Sequence, residues 1–95
     1  MEYIEINKIY DNHRVMHFTT PVRGAVEHRD DMVMVSIPEA NIYVIGENIN
    51  SCIHKVYDDL FFVWDNYAME EDAAMTGDAV EMKQWLLSTA EVENA

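Results

Sequence analysis

The chain has little of what small catalytic or metal-binding proteins use, beginning with cysteine. Cys52 is the one cysteine among 95 residues, so neither an intramolecular disulfide nor a thiolate metal cage is possible. Such cysteine usage is typical of proteins in a reducing cytosol, and we predict a cytoplasmic location. The three glycines, Gly24, Gly46 and Gly77, stand too far apart to build a phosphate-binding loop.

Basic residues are also scarce. Six Lys and Arg stand against 18 Asp and Glu, which gives a formal net charge of −12. A protein that binds nucleic acid or an anionic membrane needs a basic face, so we predict no direct nucleic-acid binding. The strongly apolar run at 60–64 is far shorter than the ~20 residues that cross a bilayer, and we predict no membrane association.

The side chains that could carry catalysis lack the partners that catalysis requires. His13 and His17 are four residues apart on a predicted strand, which separates their side chains by ~13 Å, too far to share a metal ion. Cys52 lies on the apolar flank of a predicted helix, as a small core residue does. We therefore predict a protein that is not an enzyme and has no catalytic residues, no metal and no cofactor.

Apolar residues make up 49% of the chain, and its length predicts a single domain over residues 1–95. The first half is rich in β-branched and aromatic residues, which predict strands. The segment 20–31 contains proline and glycine and is predicted to be a loop. The strand at 32–37 is apolar on both faces, as in a central strand that is covered on both sides. The predicted strands are 3–10, 14–19, 32–37 and 42–45.

The second half has helical periodicity. Apolar residues from Ile49 to Tyr67 recur at spacings of four and three, which predicts a helix at 49–69. A shorter helix is predicted at 77–90, and the last residues, 91–95, are expected to fray. The fold class is therefore α+β: a small antiparallel sheet of three to four strands, with the long helix across it and a shorter C-terminal helix. Three residues are predicted to be structural, as a turn glycine or as helix caps: Gly46, Asn48 and Thr76.

One stretch of sequence resembles a known family. Pro38-Glu39 forms a proline–acid turn between two predicted strands, and Gly46-Glu47-Asn48-Ile49 leads from strand to helix. This arrangement resembles the HicB-type antitoxins over residues 33–67, about a third of the chain. The resemblance implies a small sheet carrying one long helix, dimerisation, and neutralisation of a toxin that is often an RNA-cleaving protein.

The acidic charge is concentrated in the second half of the chain. Residues 56–95 hold ten acids against one base, Lys83. This charge is either a solvated helical face or a surface that docks on a basic, nucleic-acid-handling partner. Phe62 lies on the polar side of the long helix, where it either contacts a partner or is covered by the second helix or its loop. The candidate partner-binding residues are Asp58, Asp59, Phe62, Asp65, Glu70, Glu71 and Asp72.

Two functions are consistent with these features. The leading hypothesis is a protein-binding module of the antitoxin kind, which neutralises a basic partner protein. The alternative is an acidic inhibitor that mimics nucleic acid, as phage-encoded anti-defence (anti-CRISPR-like) proteins do. A homodimer is predicted in either case, because the strand at 32–37 offers more apolar surface than two helices readily cover.

Overall fold

In a computed structural model, which describes residues 2–69, 71 and 76–94, five strands form one antiparallel sheet that carries two helices. The α+β class is confirmed, although the sheet has five strands rather than three to four. A 3-10 turn (Pro38–Ala40) precedes β4, and a π-helical turn (Trp64–Ala68) follows α1. The elements are β1 (Glu2–Tyr10), β2 (Arg14–Arg29), β3 (Met32–Ile37), β4 (Ile42–Gly46), α1 (Ile49–Val63), α2 (Gly77–Thr89) and β5 (Ala90–Asn94).

β2 is the strand on which β1, β3 and β5 pair. The prediction of a loop at 20–31 is wrong, because β2 continues to Arg29. One edge of β2 pairs with β1, and the other is shared by β5 along 14–18 and by β3 along 25–29. Pro21 falls between these two partners, where no ladder hydrogen bond is required of it. Gly24 is needed for close packing, since an added Cβ would lie 3.0 Å from side-chain atoms of Ile4 and of Val35.

β5 was not predicted from the sequence, which indicated a frayed end at 91–95 and a second helix that continued to 90. The helix ends at Thr89, and residues 90–94 pair antiparallel with the first residues of β2. Ala90 is buried and Val92 is half-buried against the core. In a strand, every second side chain faces the same side of the sheet. Residues 90–94 are stabilised as a strand because this alternation buries Ala90 and Val92 against the core.

α1 begins where the sequence predicts, but its α-helical hydrogen bonding stops earlier than predicted. The Asn48 side chain accepts a hydrogen bond from the Ser51 amide at 2.9 Å, which caps the first turn. The regular helix stops at Val63 rather than at 69, and a π-helical turn continues to Ala68. The Asn66 side chain donates to the Phe62 carbonyl at 2.8 Å, the acceptor that its own amide would use in an α-helix.

Both helices pack on one face of the sheet. Their buried side chains, from Val56 and Leu60 on α1 to Leu86 on α2, belong to the same core cluster as Val33, Val35 and the other inward residues of the strands. The prediction that β3 is covered on both faces is therefore wrong. Across the residues described, no helix covers the opposite face, which we call the open sheet face. Its large exposed side chains are Tyr3, Tyr10, Met32, Tyr43 and Ile45.

Candidate functional site

A groove runs along the helical side of the molecule, between the 3-10 turn, the π-helical turn and α2. Its larger part has a volume of about 620 Å³ and the adjoining part about 250 Å³. The two parts share Asn41, Tyr67 and Met82 as lining residues, so they form one continuous surface. We call this surface the acidic groove because of the carboxylates that line it: Glu39, Asp59, Asp78 and Glu81.

Local sequence signals place these carboxylates. Pro38 opens the 3-10 turn, and Asn41 closes it in a left-handed conformation (φ 53°), donating its amide hydrogen to the Pro38 carbonyl at 3.0 Å. This turn leaves Glu39 exposed at the rim. On the other side, the Thr76 hydroxyl accepts from the Ala79 amide at 3.3 Å and caps α2. The first turn of α2 then presents Asp78, a residue type that the helix dipole favours there.

Helical spacing joins the acids of α2 to an aromatic side chain. Asp78, Glu81 and Trp85 are separated by three and four residues, which places them on one face of the helix. All three line the larger part of the groove, with Tyr67 contributed by the π-helical turn. Tyr67 and Trp85 are half-buried and packed against the core, and they form the aromatic walls of the groove.

The carboxylates of the groove have no ion-pair partner among the described residues. Glu39, Asp78 and Glu81 make no ion pair with any residue that the structure describes. Acids of the sheet differ, since Glu5 pairs with Arg23 and Glu27 with Arg29. No Lys or Arg is found among the described lining residues. The groove therefore carries concentrated negative charge beside aromatic walls.

The Asp59 carboxyl is affected by burial and by a neighbouring acid. It lines the smaller part of the groove. Burial raises the pKa of the Asp59 carboxyl above its ordinary value, and the neighbouring Asp58 raises it further. Both causes disfavour the charged form, through lost solvation and through repulsion by a like charge. A cation bound beside Asp59 would lower the pKa of this carboxyl.

The predicted partner-binding residues separate into different environments. Asp59 and Phe62 line the groove, and Phe62 is 61% exposed rather than covered. Asp58 and Glu71 are exposed outside its lining. Asp65 forms an ion pair with Arg14 and so belongs to an internal contact. Two more of the predicted residues, Glu70 and Asp72, lie outside the described residues.

Sequence reasoning missed most of the groove. The spacing of Asp78, Glu81 and Trp85 on α2 was a signal that could have identified one wall. Glu39 and Tyr67 gave no such signal, because each comes from a distant segment and reaches the groove only through the fold.

Two other side chains that could take part in chemistry, His28 and Cys52, make contacts outside the groove. His28 contacts Glu2 at 3.2 Å on the sheet, and the buried Cys52 thiol donates to the Val33 carbonyl at 3.2 Å. Within the described ranges, no group of three or more His, Cys, Asp or Glu side chains is arranged to hold a metal ion. The groove offers carboxylates and aromatic rings, a combination that can bind a cation.

Comparisons with known proteins identify no related protein or structure. No protein-family model matches the chain, and searches of curated proteins and of solved structures each find no match. The HicB-type resemblance therefore rests on residues 33–67 of the sequence alone. Neither helix that the structure describes is both long enough and apolar enough to span a membrane.

Proposed function

We propose that the protein is a non-enzymatic binding module that neutralises a basic partner protein, in the manner of a HicB-type antitoxin. The observation that carries the proposal is the acidic groove, where Glu39, Asp78 and Glu81 lie beside Tyr67 and Trp85 and make no ion pair with a described residue. Negative potential attracts a basic partner and discriminates against other proteins, while aromatic side chains supply contact area.

The location of the family-like segments supports this proposal. The Pro38-Glu39 turn contributes Glu39 to the rim of the groove. The Gly46–Ile49 junction leads from β4 into α1, whose buried side chains share one core with the inward face of the sheet. The resemblance implies a small sheet that carries one long helix, and α1 on this sheet has that arrangement.

We further propose that the functional unit is a homodimer formed through the open sheet face. Besides its exposed aromatic and aliphatic side chains, this face carries three bases and four acids, a net charge of −1. The bases are Lys8, Arg23 and Arg29, and the acids are Glu5, Glu27, Glu91 and Glu93. Nearly all of the −12 charge therefore lies elsewhere. Two copies that meet at this face keep their acidic sides apart and leave both grooves open, in the two-fold arrangement commonest among oligomers.

A second candidate function is inhibition by mimicry of nucleic acid. It is favoured by exposed carboxylates of the helical side, such as Asp58 and Asp78, which make no ion pair with a described residue, whereas Glu5 and Glu27 of the sheet pair with arginines. The neighbouring gene separates the two candidates. A small basic toxin encoded next to this protein supports the antitoxin, and a phage operon without such a toxin supports the mimic.

The proposal is tested by capture from the native host followed by an activity assay. The tagged protein is incubated with lysate, and each captured protein is purified and assayed alone and with an equimolar amount of this protein. We expect a basic partner whose activity is suppressed. A groove variant (Glu39→Gln, Asp78→Asn, Glu81→Gln) is expected to suppress it poorly.

A matched variant controls for net charge in the same experiment. Asp30→Asn, Asp31→Asn and Glu47→Gln remove the same number of charges from exposed turn positions outside the groove. This variant is expected to neutralise the partner as the parent protein does. Capture of no basic partner, or of one that stays fully active in the complex, refutes the proposed function.

A further inference from the structure

Two of the three arginines of the chain, Arg14 and Arg23, each contact an aromatic ring together with a carboxylate. The Arg14 guanidinium lies 4.8 Å from the centre of the Phe61 ring and bonds to Asp65. Arg23 lies 5.3 Å from the centre of the Tyr3 ring, and its Nε is 3.8 Å from a Glu5 oxygen. Ring stacking and charge-assisted hydrogen bonds act together at such sites, because the guanidinium is planar and its donors form a fork.

The acidic groove has the same components without an arginine. Tyr67 and Trp85 provide the rings, and Glu39, Asp78 and Glu81 provide carboxylates that no described base neutralises. The larger part of the groove, about 620 Å³, falls within the range of ordinary small-ligand pockets. Charge and shape in this groove therefore fit a guanidinium group.

We propose that the acidic groove receives an arginine side chain of the partner, with an adjacent apolar residue seated beside Phe62. This inference deepens the proposed function and rests on it. The smaller part of the groove is continuous with the larger one and is lined by Met82, Val63 and the exposed Phe62. An apolar residue next to the arginine removes these surfaces from water. The recognised element is thus an arginine–apolar pair on a basic segment.

Arginine fits this groove better than the other cations. Lysine is a compact charge that cannot stack as a plane and cannot form two parallel hydrogen bonds to one carboxylate. A bound metal ion would need several ligands converging on one point, and none of the clusters formed by the described residues provides that. The aromatic rings and the carboxylates that line the groove therefore suit a planar cation.

The proposal is tested with short synthetic peptides, independently of the native partner. The probe is acetyl-Gly-Arg-Leu-Gly-amide, and its control replaces arginine by citrulline, which keeps the shape and loses the charge. The readout is the indole N–H resonance of Trp85 in two-dimensional NMR. Trp64 serves as an internal reference because it lines neither part of the groove.

We expect the Trp85 signal to shift and to saturate with the arginine peptide, while the Trp64 signal stays in place. The citrulline peptide is expected to bind at least about tenfold more weakly, since it has no charge to offer the carboxylates. A lysine peptide is expected to fall between the two. Equal binding of the arginine and citrulline peptides, or equal shifts of both indoles, overturns the proposal.

Two variants show whether the groove itself is responsible. The triple variant at Glu39, Asp78 and Glu81 is expected to weaken arginine-peptide binding about tenfold. The matched variant, with Asp30→Asn, Asp31→Asn and Glu47→Gln, is expected to change it by less than about twofold, as for distant screened charges. Equal losses in both variants would mean general charge attraction and would refute the site. The citrulline comparison uses the unmodified protein, so it decides the question even if a variant fails to fold.

Failure of this inference is distinguishable from failure of the proposed function. A partner that is neutralised equally well by the groove variant leaves the function standing and refutes the arginine site. A saturable arginine site in a protein that neutralises no partner refutes the function and leaves the site standing.

Discussion

Arg14 at the start of β2 forms a bidentate ion pair with Asp65 in the π-helical turn, 51 residues away in the sequence. Nη1 of Arg14 lies 2.5 Å from Oδ1 of Asp65, and Nη2 lies 3.1 Å from Oδ2. The same guanidinium bonds to Asp11 and stacks on Phe61. The hydrogen bond to Asp65 is the main reason that the pKa of Arg14 is raised. The contact ties the end of the long helix to the first hairpin, so Asp65 has a structural role.

Asp65→Asn is therefore expected to lower stability without affecting partner binding. We expect a loss of about 1 kcal/mol, because the pair is bidentate but partly exposed to solvent. For a domain of this size that corresponds to a fall in Tm of about 4–8 °C. Thermal melts of Asp65→Asn, Arg14→Gln and the double variant give the coupling energy. Additive losses in the double variant would show that the pair contributes nothing.

Gly46→Ala is expected to be destabilising for a steric reason. An added Cβ would lie 3.0 Å from the Ser51 Cβ and 3.1 Å from the Cys52 Sγ. The φ angle of Gly46 is not positive, so the predicted role of a flexible turn glycine is replaced by close approach of strand and helix. We expect a loss of about 1–3 kcal/mol, as for overpacked cores. Chemical denaturation measures this loss.

Gly77→Ala is the matched control for that measurement. Among the described residues, a Cβ at Gly77 would meet no atom within 4 Å beyond its chain neighbours and its own helix backbone, and alanine favours the helical conformation by about 1 kcal/mol. We expect this variant to be neutral or slightly more stable than the parent. If both glycine variants change stability equally, close packing at Gly46 is not the cause.

Asn48→Ala tests the cap of α1. Loss of the side-chain acceptor leaves the Ser51 amide without its partner, and we expect a loss of about 1 kcal/mol. Asn50→Ala, inside the first turn and exposed, is the control and is expected to be neutral. Urea denaturation of the two variants decides the matter. Identical midpoints would place the start of the helix elsewhere.

Asp59→Asn is expected to raise stability at neutral pH. Because burial raises its pKa, the folded protein binds this proton more tightly than the unfolded chain. The stability from that proton is present at low pH and is lost as pH rises through the folded pKa. We therefore expect the Tm of Asp59→Asn to be higher than that of the parent at pH 7. The difference is expected to disappear near pH 3, where Asp59 is protonated in both states.

Asp11→Asn is the control of opposite sign. Hydrogen bonds to the carboxylate, chiefly from the His13 amide and then from Arg14, lower the pKa of Asp11. Its contribution is present above the unfolded pKa and is lost as pH falls through the lowered folded pKa. Asp11→Asn is thus expected to lower Tm at neutral pH and to have little effect in acid. Melts from pH 3 to 8 that show the same sign for both variants would contradict this assignment.

Self-association is expected to depend on the open sheet face. Light scattering should give twice the 11.0 kDa mass of one chain. Tyr43→Asp with Ile45→Asp places two charges on the exposed apolar part of this face and is expected to produce monomers. Phe62→Asp, on the helical side, is expected to leave the dimer intact. A parent protein with the monomer mass at low and at high salt would refute the dimer.

The features that could be predicted from the sequence are those set by local signals. The first turn of α1 follows from the Asn48 side chain and the apolar spacing behind it. The continuation of β2 could not be predicted, because Pro21 and Gly24 indicate a loop unless the neighbouring strands are known. β5 was missed for a related reason, since its five residues become a strand only by pairing with residues that are remote in sequence.

The candidate site shows the same division. Phe62 and Asp59 were identifiable as a hydrophobic residue and an acid on the polar side of a helix, and both line the groove. Asp65 looked equivalent to Asp59, but an arginine on a distant strand neutralises it. Glu39 belongs to a turn whose position beside α2 is decided only by tertiary packing.

The pairing of β5 with β2 also constrains how the protein is made. Along 14–18, β2 has a partner on this edge only when residues 90–94 are present. Until the ribosome has added them, the strand exposes unpaired amides and carbonyls beside apolar residues, and closing so long a loop is entropically slow. Such an edge is a template for another chain. A chain whose residues 90–94 have not yet paired with β2 is therefore prone to aggregation at this edge.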